Sequence, residues 1–290
     1  MAPSFGRSIS FPLSPARSSR PRAAAYHVRS VSLPCHSHPL LAHLCTHIAA
    51  VRAWTSTSAS TPSSSASTGL ARLDAFHAAL ADLMLLPEAR AALSYGSATA
   101  ACLLDGFLLL ADAHQGFQDT VVELRAHAAD AQAALRRRDD SRLASAVRSL
   151  RRAEKDLARL AASVRAAAKF PSTMLSASTS VAEVEVSGAL AEAVAAAACA
   201  SAAVFSAVES VSAAATSSLA SKRTVASSFM SLVRTAKPAA SDEEKEVVAV
   251  ERLDEVEACL VATEGPSDKV FRSILHTRVA LLNIQTETCC

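Results

Sequence analysis

Two copies of one short frame, Arg-Ser-x-Ser-x-Pro, lie near the start of the chain and are candidates for phosphorylation. The copies are RSISFP at residues 7–12 and RSVSLP at residues 29–34. The positions that define them are Arg7, Ser10, Pro12, Arg29, Ser32 and Pro34. A phosphoserine between an upstream Arg and a downstream Pro resembles the peptide that 14-3-3 proteins bind. The pair predicts phosphorylation at Ser10 and Ser32, and recruitment of a dimeric 14-3-3 protein through both sites.

The same N-terminal tail has two other interpretations. No Asp or Glu occurs before Asp74, and the tail is rich in Arg, Ser and Pro, so the frame can arise from composition alone. Arg- and Ser-rich, acid-poor N-termini are also typical of organelle transit peptides. Under every interpretation, residues 1–36 bury too little apolar surface to offset the entropy of ordering them, which predicts a disordered tail.

The segment CHSHPLLAHLCTH contains residue types that bind zinc. Its candidate ligands are Cys35, His36, His38, His43, Cys45 and His47. His43 and His47 are four residues apart on one helical face, but Cys45 points away from both. No paired C-x-x-C spacing completes a tetrahedral ligand set. The segment is therefore interpreted as a His-rich amphipathic helix, with no metal or other cofactor.

Catalytic motifs are absent from the sequence. It has no G-x-S-x-G elbow, no phosphate-binding glycine pattern and no H-E-x-x-H. Asp105, Asp112 and His114 lie near one another on a predicted helix, where such residues are more often solvated than catalytic. The chain has only 7 Gly to form the turns that shape a pocket. We predict a protein that is not an enzyme and has no catalytic residues.

The composition predicts an all-α protein. Hydrophobic residues make up 50% of the 290 residues and aromatic residues only 4%, so the apolar content is mostly Ala, with Leu and Val behind it. Ala and Leu are strong helix formers, and the few glycines disfavour α/β nucleotide-binding folds. We expect a multi-helix bundle with long, coiled-coil-like helices that approach one another closely through Ala.

Local patterns divide the chain into four segments. The tail of residues 1–36 is followed by a short amphipathic helix over residues 37–54, with Ser37 as its predicted cap. Residues 55–69 are Ser/Thr-rich and are interpreted as a linker. The helical domain is predicted to occupy residues 70–290.

Residues 140–169 form the clearest predicted helix. Its apolar residues recur seven positions apart, as in a coiled coil. They are Leu143, Leu150, Leu157 and Val164. We expect this seam to be buried within the chain, against the 103–135 helix and the last helices.

The opposite face of that helix is basic. Such a face can attract nucleic acid or anionic lipid, but this one has no aromatic side chains for base stacking. Its positive field is interrupted by Asp139, Asp140, Glu154 and Asp156. We expect a solvated face packed near the acidic segment 242–264, with no nucleic-acid binding and at most a peripheral membrane contact.

The Ala-dominated segment 181–220 raises the question of a membrane span. Only 16 uncharged residues lie between Glu192 and Glu209, whereas a span needs about 20 consecutive apolar residues. The segment is therefore predicted to be a buried helix.

Two helices are predicted at the C-terminus. An acidic helix over residues 242–262 should end at Gly265 and Pro266, and the last helix should begin near Ser267.

Cysteine usage suggests a reducing compartment. The 7 Cys are scattered without a dense framework of spacings, and the N-terminus lacks the continuous apolar segment of a secretory signal. We expect an intracellular, cytoplasmic protein, with a plastid or mitochondrial location as the alternative if the tail is a transit peptide.

Four stretches carry a family resemblance. They are YHVRSVSLPCHSHPL at 26–40, RLDAFHAALADLMLLPEARAAL at 72–93, the predicted helix at 103–139, and VFRSILHTRVALLNIQT at 270–286. They resemble a plant-specific family of the Bypass type. The resemblance implies a helical protein with no assigned biochemical activity, linked to root and shoot development.

Together these features predict a non-enzymatic helical protein of unknown biochemical activity that regulates by binding other proteins. The alternative is a peripheral membrane or organelle-associated protein whose N-terminus is a transit peptide. The oligomeric state stays open.

Overall fold

The computed structural model describes residues 38–57, 62–94, 96–167, 181–226 and 242–287. Within these ranges the regular elements are all α-helices, and no strand is present. The predicted all-α fold is therefore confirmed. The N-terminal tail up to residue 37 lies outside the described residues.

Seven helices are described and are numbered here in chain order. They are α1 (Pro39–Thr57), α2 (Pro62–Met84), α3 (Pro87–Ala92), α4 (Ala98–Arg137), α5 (Asp140–Ala167), α6 (Val181–Ala226) and α7 (Asp242–Glu287). Apolar residues at helical spacing form a buried stripe on α2, at Leu70, Leu73, Phe76, Leu80, Leu83 and Met84.

Helix α6 is the centre of the bundle, because it packs against each of the other six helices. Small Ala and Ser side chains occur all around this helix, so neighbouring helices can pack closely against it from every direction. One stretch of it, Val184–Ser221, is long and apolar enough to cross a membrane by length and composition. Of its apolar window, 67% is buried by the protein itself, as expected of a core helix.

Gly69 marks the point where α1, α2 and α6 meet. A Cβ atom added to it would lie 2.3 Å from the Trp54 ring and 2.7 Å from Val204. Only glycine fits such a close approach, so this residue sets the spacing of the three helices.

Helices α4 and α5 are joined by a two-residue corner. Arg138 adopts the left-handed conformation with φ of 53°, and its N–H donates to the carbonyl of Leu135 at 3.0 Å. Asp139 then caps α5, because its Oδ1 accepts the backbone N–H groups of Ser141 and Arg142. Such a short connection makes the two helices antiparallel neighbours.

The seam of α5 is buried as predicted, but its partners differ in part from the prediction. It packs against α4 and α6, whereas α7 packs against α2, α4 and α6. The expectation that the last helices and the acidic segment 242–264 cover α5 is wrong. Helices α4 and α6 pack on each other and on both α5 and α7, and so they separate these two.

Helix α7 continues through Pro266, so the predicted break at Gly265 and Pro266 is wrong. A proline inside a helix removes one hydrogen bond and costs about 3 kcal/mol. Apolar residues on both sides of Pro266 are buried on a single helical face, at Val256, Leu260, Val270 and Ile274. Burial of that continuous face outweighs the local cost of the proline.

The N-terminal boundaries also differ from the prediction. Helix α2 begins at Pro62, so residues 62–69 of the expected linker are helical. Helix α1 packs on α2 and α6 and belongs to the bundle. Its cap is His38, whose Nδ1 accepts the N–H of Leu40 at 3.2 Å. Ser37, the predicted cap, lies outside the described residues.

Candidate functional site

The outward face of α5 carries a row of cations, which we call the α5 basic stripe. Its members are Arg148, Arg151, Arg152, Lys155 and Arg159, all exposed. They recur three or four positions apart and so lie on one side of the helix, opposite the buried seam. At 1.5 Å per residue the stripe is about 17 Å long.

Acidic residues interrupt the α5 basic stripe less than the sequence suggested. Asp156 pairs with Arg159. Glu154 is turned towards α6, where its Oε1 accepts hydrogen bonds from the hydroxyls of Ser212, at 2.8 Å, and Thr216. A helical projection would have shown this, since Glu154 falls on the seam side of the helix.

The acidic residues of α7 do not neutralise the stripe, because α7 packs on α2, α4 and α6 and not on α5, and two of these residues contact α4. Arg125 of α4 pairs with Glu264 at 3.2 Å, and Gln132 donates to Asp254 at 3.0 Å. Within the described ranges, no ion pair involves the other four stripe residues, from Arg148 to Lys155. The stripe is therefore a positive surface open to a partner.

Two histidines lie in the core, and each has a hydroxyl group nearby on another helix. His114 on α4 contacts Ser201 on α6, with 2.9 Å between Nε2 and Oγ. His77 on α2 lies 3.5 Å from the hydroxyl of Thr277 on α7, measured from Nδ1. Both rings are buried. Burial lowers the pKa of His114 to about 4, and burial together with His114 lowers the pKa of His77 to about 3.

The His114–Ser201 pair joins α4 to α6 inside the core. A catalytic histidine is normally oriented by a carboxylate or a similar group, and among the described residues Nδ1 of His114 has no hydrogen-bond partner. Its ring instead packs edge-on against Phe205, with centroids 5.2 Å apart.

The expectation that Asp105, Asp112 and His114 share a solvated surface is wrong for the histidine. Asp105 and Asp112 are exposed, whereas His114 is buried. His114 follows Asp112 by two residues, which turns it about 200° around the helix and into the core.

The candidate zinc ligands fall in three groups, and one of them, His38, is the cap of α1. Cys35 and His36 lie outside the described residues. His43 and His47 on α1 contact each other edge-on, with ring centroids 4.7 Å apart, and Cys45 is an exposed free thiol. In the described part of the chain, no three His, Cys, Asp or Glu side chains are grouped so as to hold a metal ion.

The two phosphorylation frames also lie outside the described residues. The assignment of Ser10 and Ser32, with their flanking Arg7, Pro12, Arg29 and Pro34, stays a prediction.

Comparison with known protein families gives a match over most of the chain. A family model described as Protein BPS1 matches residues 69–284, from the middle of α2 almost to the end of α7. The match covers more than half of the chain and includes the α5 basic stripe. No curated protein and no solved structure shows significant similarity to the chain.

Proposed function

The chain belongs to the BPS1 family, a Bypass-type family that is not a known enzyme family, and we propose that it is a non-enzymatic regulator that binds other proteins. Its proposed setting is the control of root and shoot development in a plant. Family membership supports the developmental role, and the fold supports binding by a rigid helical scaffold.

The observation that carries this proposal is the α5 basic stripe. Four of its five cations have no acidic partner in the described part of the chain. Exposed charges on a rigid helix steer and orient a partner of opposite charge. The partner we propose is therefore a protein with an acidic surface.

The chemistry of the stripe favours a protein over a membrane. Four of its members are Arg, whose planar guanidinium groups form paired hydrogen bonds with carboxylates. Among the described residues of α5, no large apolar side chain is exposed. Membrane binding would then depend on charge alone, and each cation near an anionic surface contributes about 1 kcal/mol to the binding free energy.

The second candidate is a peripheral membrane protein that uses the same stripe. Anionic lipid would neutralise these cations without any apolar insertion, and salt would release the protein. Delivery to a plastid or mitochondrion belongs to this alternative, and N-terminal sequencing of the mature chain would detect cleavage of the tail.

In the favoured proposal the tail regulates the scaffold. Phosphorylation of Ser10 and Ser32 recruits a 14-3-3 dimer, and the helical bundle binds the acidic partner. We place this activity in the cytoplasm.

A charge-neutral variant of the stripe tests the proposal. The triple change Arg148→Gln, Arg151→Gln, Arg152→Gln should leave the fold intact, because all three side chains are exposed. Affinity purification from plant tissue should recover acidic partner proteins with the full-length wild type and lose them with the variant. Plants that lack the protein and have root or shoot defects should be restored by the wild type and not by the variant.

A matched control removes the same charge elsewhere. The triple change Arg136→Gln, Arg137→Gln, Arg138→Gln alters three exposed residues at the end of α4 and should retain both partners and complementation. Two results together would favour the membrane alternative. The wild type would bind phosphatidylserine vesicles in a salt-reversible way, and the stripe variant would lose this binding but still recover the partner proteins. Equal recovery of partners by wild type and stripe variant, without vesicle binding, would contradict both.

A further inference from the structure

A small cleft lies between α4 and α7, beside Pro266. Its volume is about 220 Å³, enough for one long side chain, and it opens to solvent. The residues that line it are Gln118, Val121, Val122, Glu264, Ser267 and Asp268. It is separate from the α5 basic stripe, which lies on a helix that does not contribute to the lining.

Ser267 is the unusual residue of this cleft. Its side chain is only 2% exposed, and its hydroxyl has no hydrogen-bond partner within the described structure. A buried polar group without a partner costs stability, so such groups normally have one. A hydroxyl that lines a cleft and lacks a partner in the protein is positioned to bond to a molecule in that cleft.

The rest of the lining includes two valines from α4 and two carboxylates from α7. Val121 and Val122 of α4 supply the apolar wall, and Val122 is 66% exposed. Glu264 and Asp268 are four residues apart on α7, so their carboxylates lie on one helical face, and Ser267 comes between them in the chain.

Both carboxylates already have arginine neighbours, but these contacts are exchangeable. Glu264 pairs with Arg125 at 3.2 Å and Asp268 with Arg272 at 2.7 Å. All four side chains are exposed, and exposed ion pairs contribute little to stability. A cation entering the cleft can therefore share the carboxylates without disrupting the fold.

We propose that this cleft receives one lysine or arginine side chain of a partner protein. The aliphatic stem lies on Val121 and Val122, the cationic head lies between Glu264 and Asp268, and the Ser267 hydroxyl accepts a hydrogen bond from the head. Long basic side chains suit such a site, because they bury their methylene groups and keep their charge near polar atoms. The inference rests on the proposed role in binding proteins and names a second contact, distinct from the stripe.

The test uses single amino-acid probes on full-length, ¹⁵N-labelled protein. N-acetyl-lysine-N-methylamide should cause saturable shifts in the amide signals of Val122, Ser267 and Asp268. The arginine analogue tests the guanidinium head in the same way. N-acetyl-norleucine-N-methylamide has a similar stem without the charge and should cause no saturable shift.

Variants of the cleft separate its parts. Ser267→Ala should weaken the binding of the cationic probes roughly tenfold, because it removes a hydrogen bond to a charged group. It should not lower the unfolding temperature, because the hydroxyl makes no hydrogen bond to any of the described residues. The double change Glu264→Gln, Asp268→Asn should abolish binding. Glu251→Gln with Glu257→Gln, two exposed changes on the same helix, should leave it unchanged.

Two results would overturn the inference. One is the absence of saturable shifts up to the solubility limit of both cationic probes. The other is binding that survives the double change at Glu264 and Asp268. Neither result bears on the α5 basic stripe, whose variants leave the cleft residues untouched, so failure of the cleft and failure of the proposed function are distinguishable.

Discussion

At the scale of single residues, the core of this protein contains polar groups where helices meet. His77 and His114 are buried on α2 and α4, and each has one ring nitrogen without a hydrogen-bond partner in the described structure. Phe76 and Phe205 pack edge-on against their rings. A charged imidazole in such surroundings is disfavoured, so both histidines are neutral in the folded protein at neutral pH.

The buried histidines make stability depend on pH. Their folded pKa values, about 3 for His77 and about 4 for His114, lie below the unfolded value of 6.5. The unfolded chain therefore binds more protons below pH 6.5, and the free energy of unfolding should fall as the pH drops. The expected slope is about 1.4 kcal/mol per pH unit for each histidine. Urea unfolding at pH 7, 6 and 5 measures it.

Two variants check the origin of this slope. The double change His77→Gln, His114→Gln should flatten it between pH 7 and pH 5. His276→Gln, a change at an exposed position on α7, should leave it as in the wild type. A slope that persists in the double variant would show that other groups cause the acid sensitivity.

The tail serines give a second prediction at this scale. In the phosphorylated full-length chain, Ser10→Ala or Ser32→Ala should each weaken 14-3-3 binding by roughly 10²–10⁴-fold. The reason is that the loss of either site removes the affinity gained when both sites bind one dimer. Ser32 should matter more, since it lies in the stretch 26–40 that resembles the family. Isothermal titration measures the affinities. Unchanged binding of the doubly substituted chain would refute the assignment.

At the scale of elements, α5 has two faces with different roles. Its seam packs on α4 and α6, and its α5 basic stripe faces solvent. Gly116 of α4 brings the two helices close, since a Cβ there would lie 3.2 Å from the side chain of Leu160. The seam therefore fixes the orientation in which the stripe is presented.

Truncation of the seam should be costly. Leu150 and Leu157 are 1% and 0% exposed, so Leu150→Ala or Leu157→Ala should each lower the free energy of unfolding by about 2–5 kcal/mol. Chemical denaturation measures the loss. Arg152→Ala, on the opposite face, should be nearly neutral. If both leucine variants were as stable as the wild type, the seam would be exposed in solution and available for self-association.

At the scale of the whole molecule, α6 holds the bundle together. A helix that contacts six others cannot carry large side chains on every side, and the Ala-rich sequence of α6 meets this requirement. Removing space at a contact with α6 should therefore affect the entire fold.

Gly69→Ala tests this dependence. The new Cβ collides with Trp54 and Val204, and we expect a loss of about 1–3 kcal/mol in the free energy of unfolding. Trp54 is the chain's one tryptophan, so its fluorescence reports on α1 while circular dichroism reports on all helices. Both probes should give one coincident transition, shifted to lower denaturant in the variant.

The control is a glycine with free space. Among the described residues, no side chain or other helix lies within 4 Å of a Cβ added to Gly188 in α6, its two chain neighbours aside. Gly188→Ala should therefore be neutral or raise stability by up to about 1 kcal/mol. Separate transitions for the two probes would show that α1 unfolds independently of the bundle.

Periodic patterns in the sequence determined the helices and the residues they bury. The stripe from Leu70 to Met84 and the seam from Leu143 to Val164 were both predictable, because apolar spacing acts within a few residues. The left-handed Arg138 and the cap at Asp139 were not predicted. The same local signals suggested the α5 basic stripe. They did not predict that Glu154 turns away from it, although its position on the seam side was visible in the spacing.

Only the tertiary structure decided which helices meet. Charge alone paired α5 with the acidic segment of α7, but α4 and α6 separate them, and the small side chains of α6 let it occupy the centre. Pro266 signalled a helix end, yet burial of apolar residues on both sides keeps α7 continuous. The cleft at Ser267 arises from residues of α4 and α7 that are far apart in the chain. In each case, packing between segments that are far apart in the chain outweighs the conformational preference of the local sequence. Patterns within a few residues of sequence cannot predict such packing.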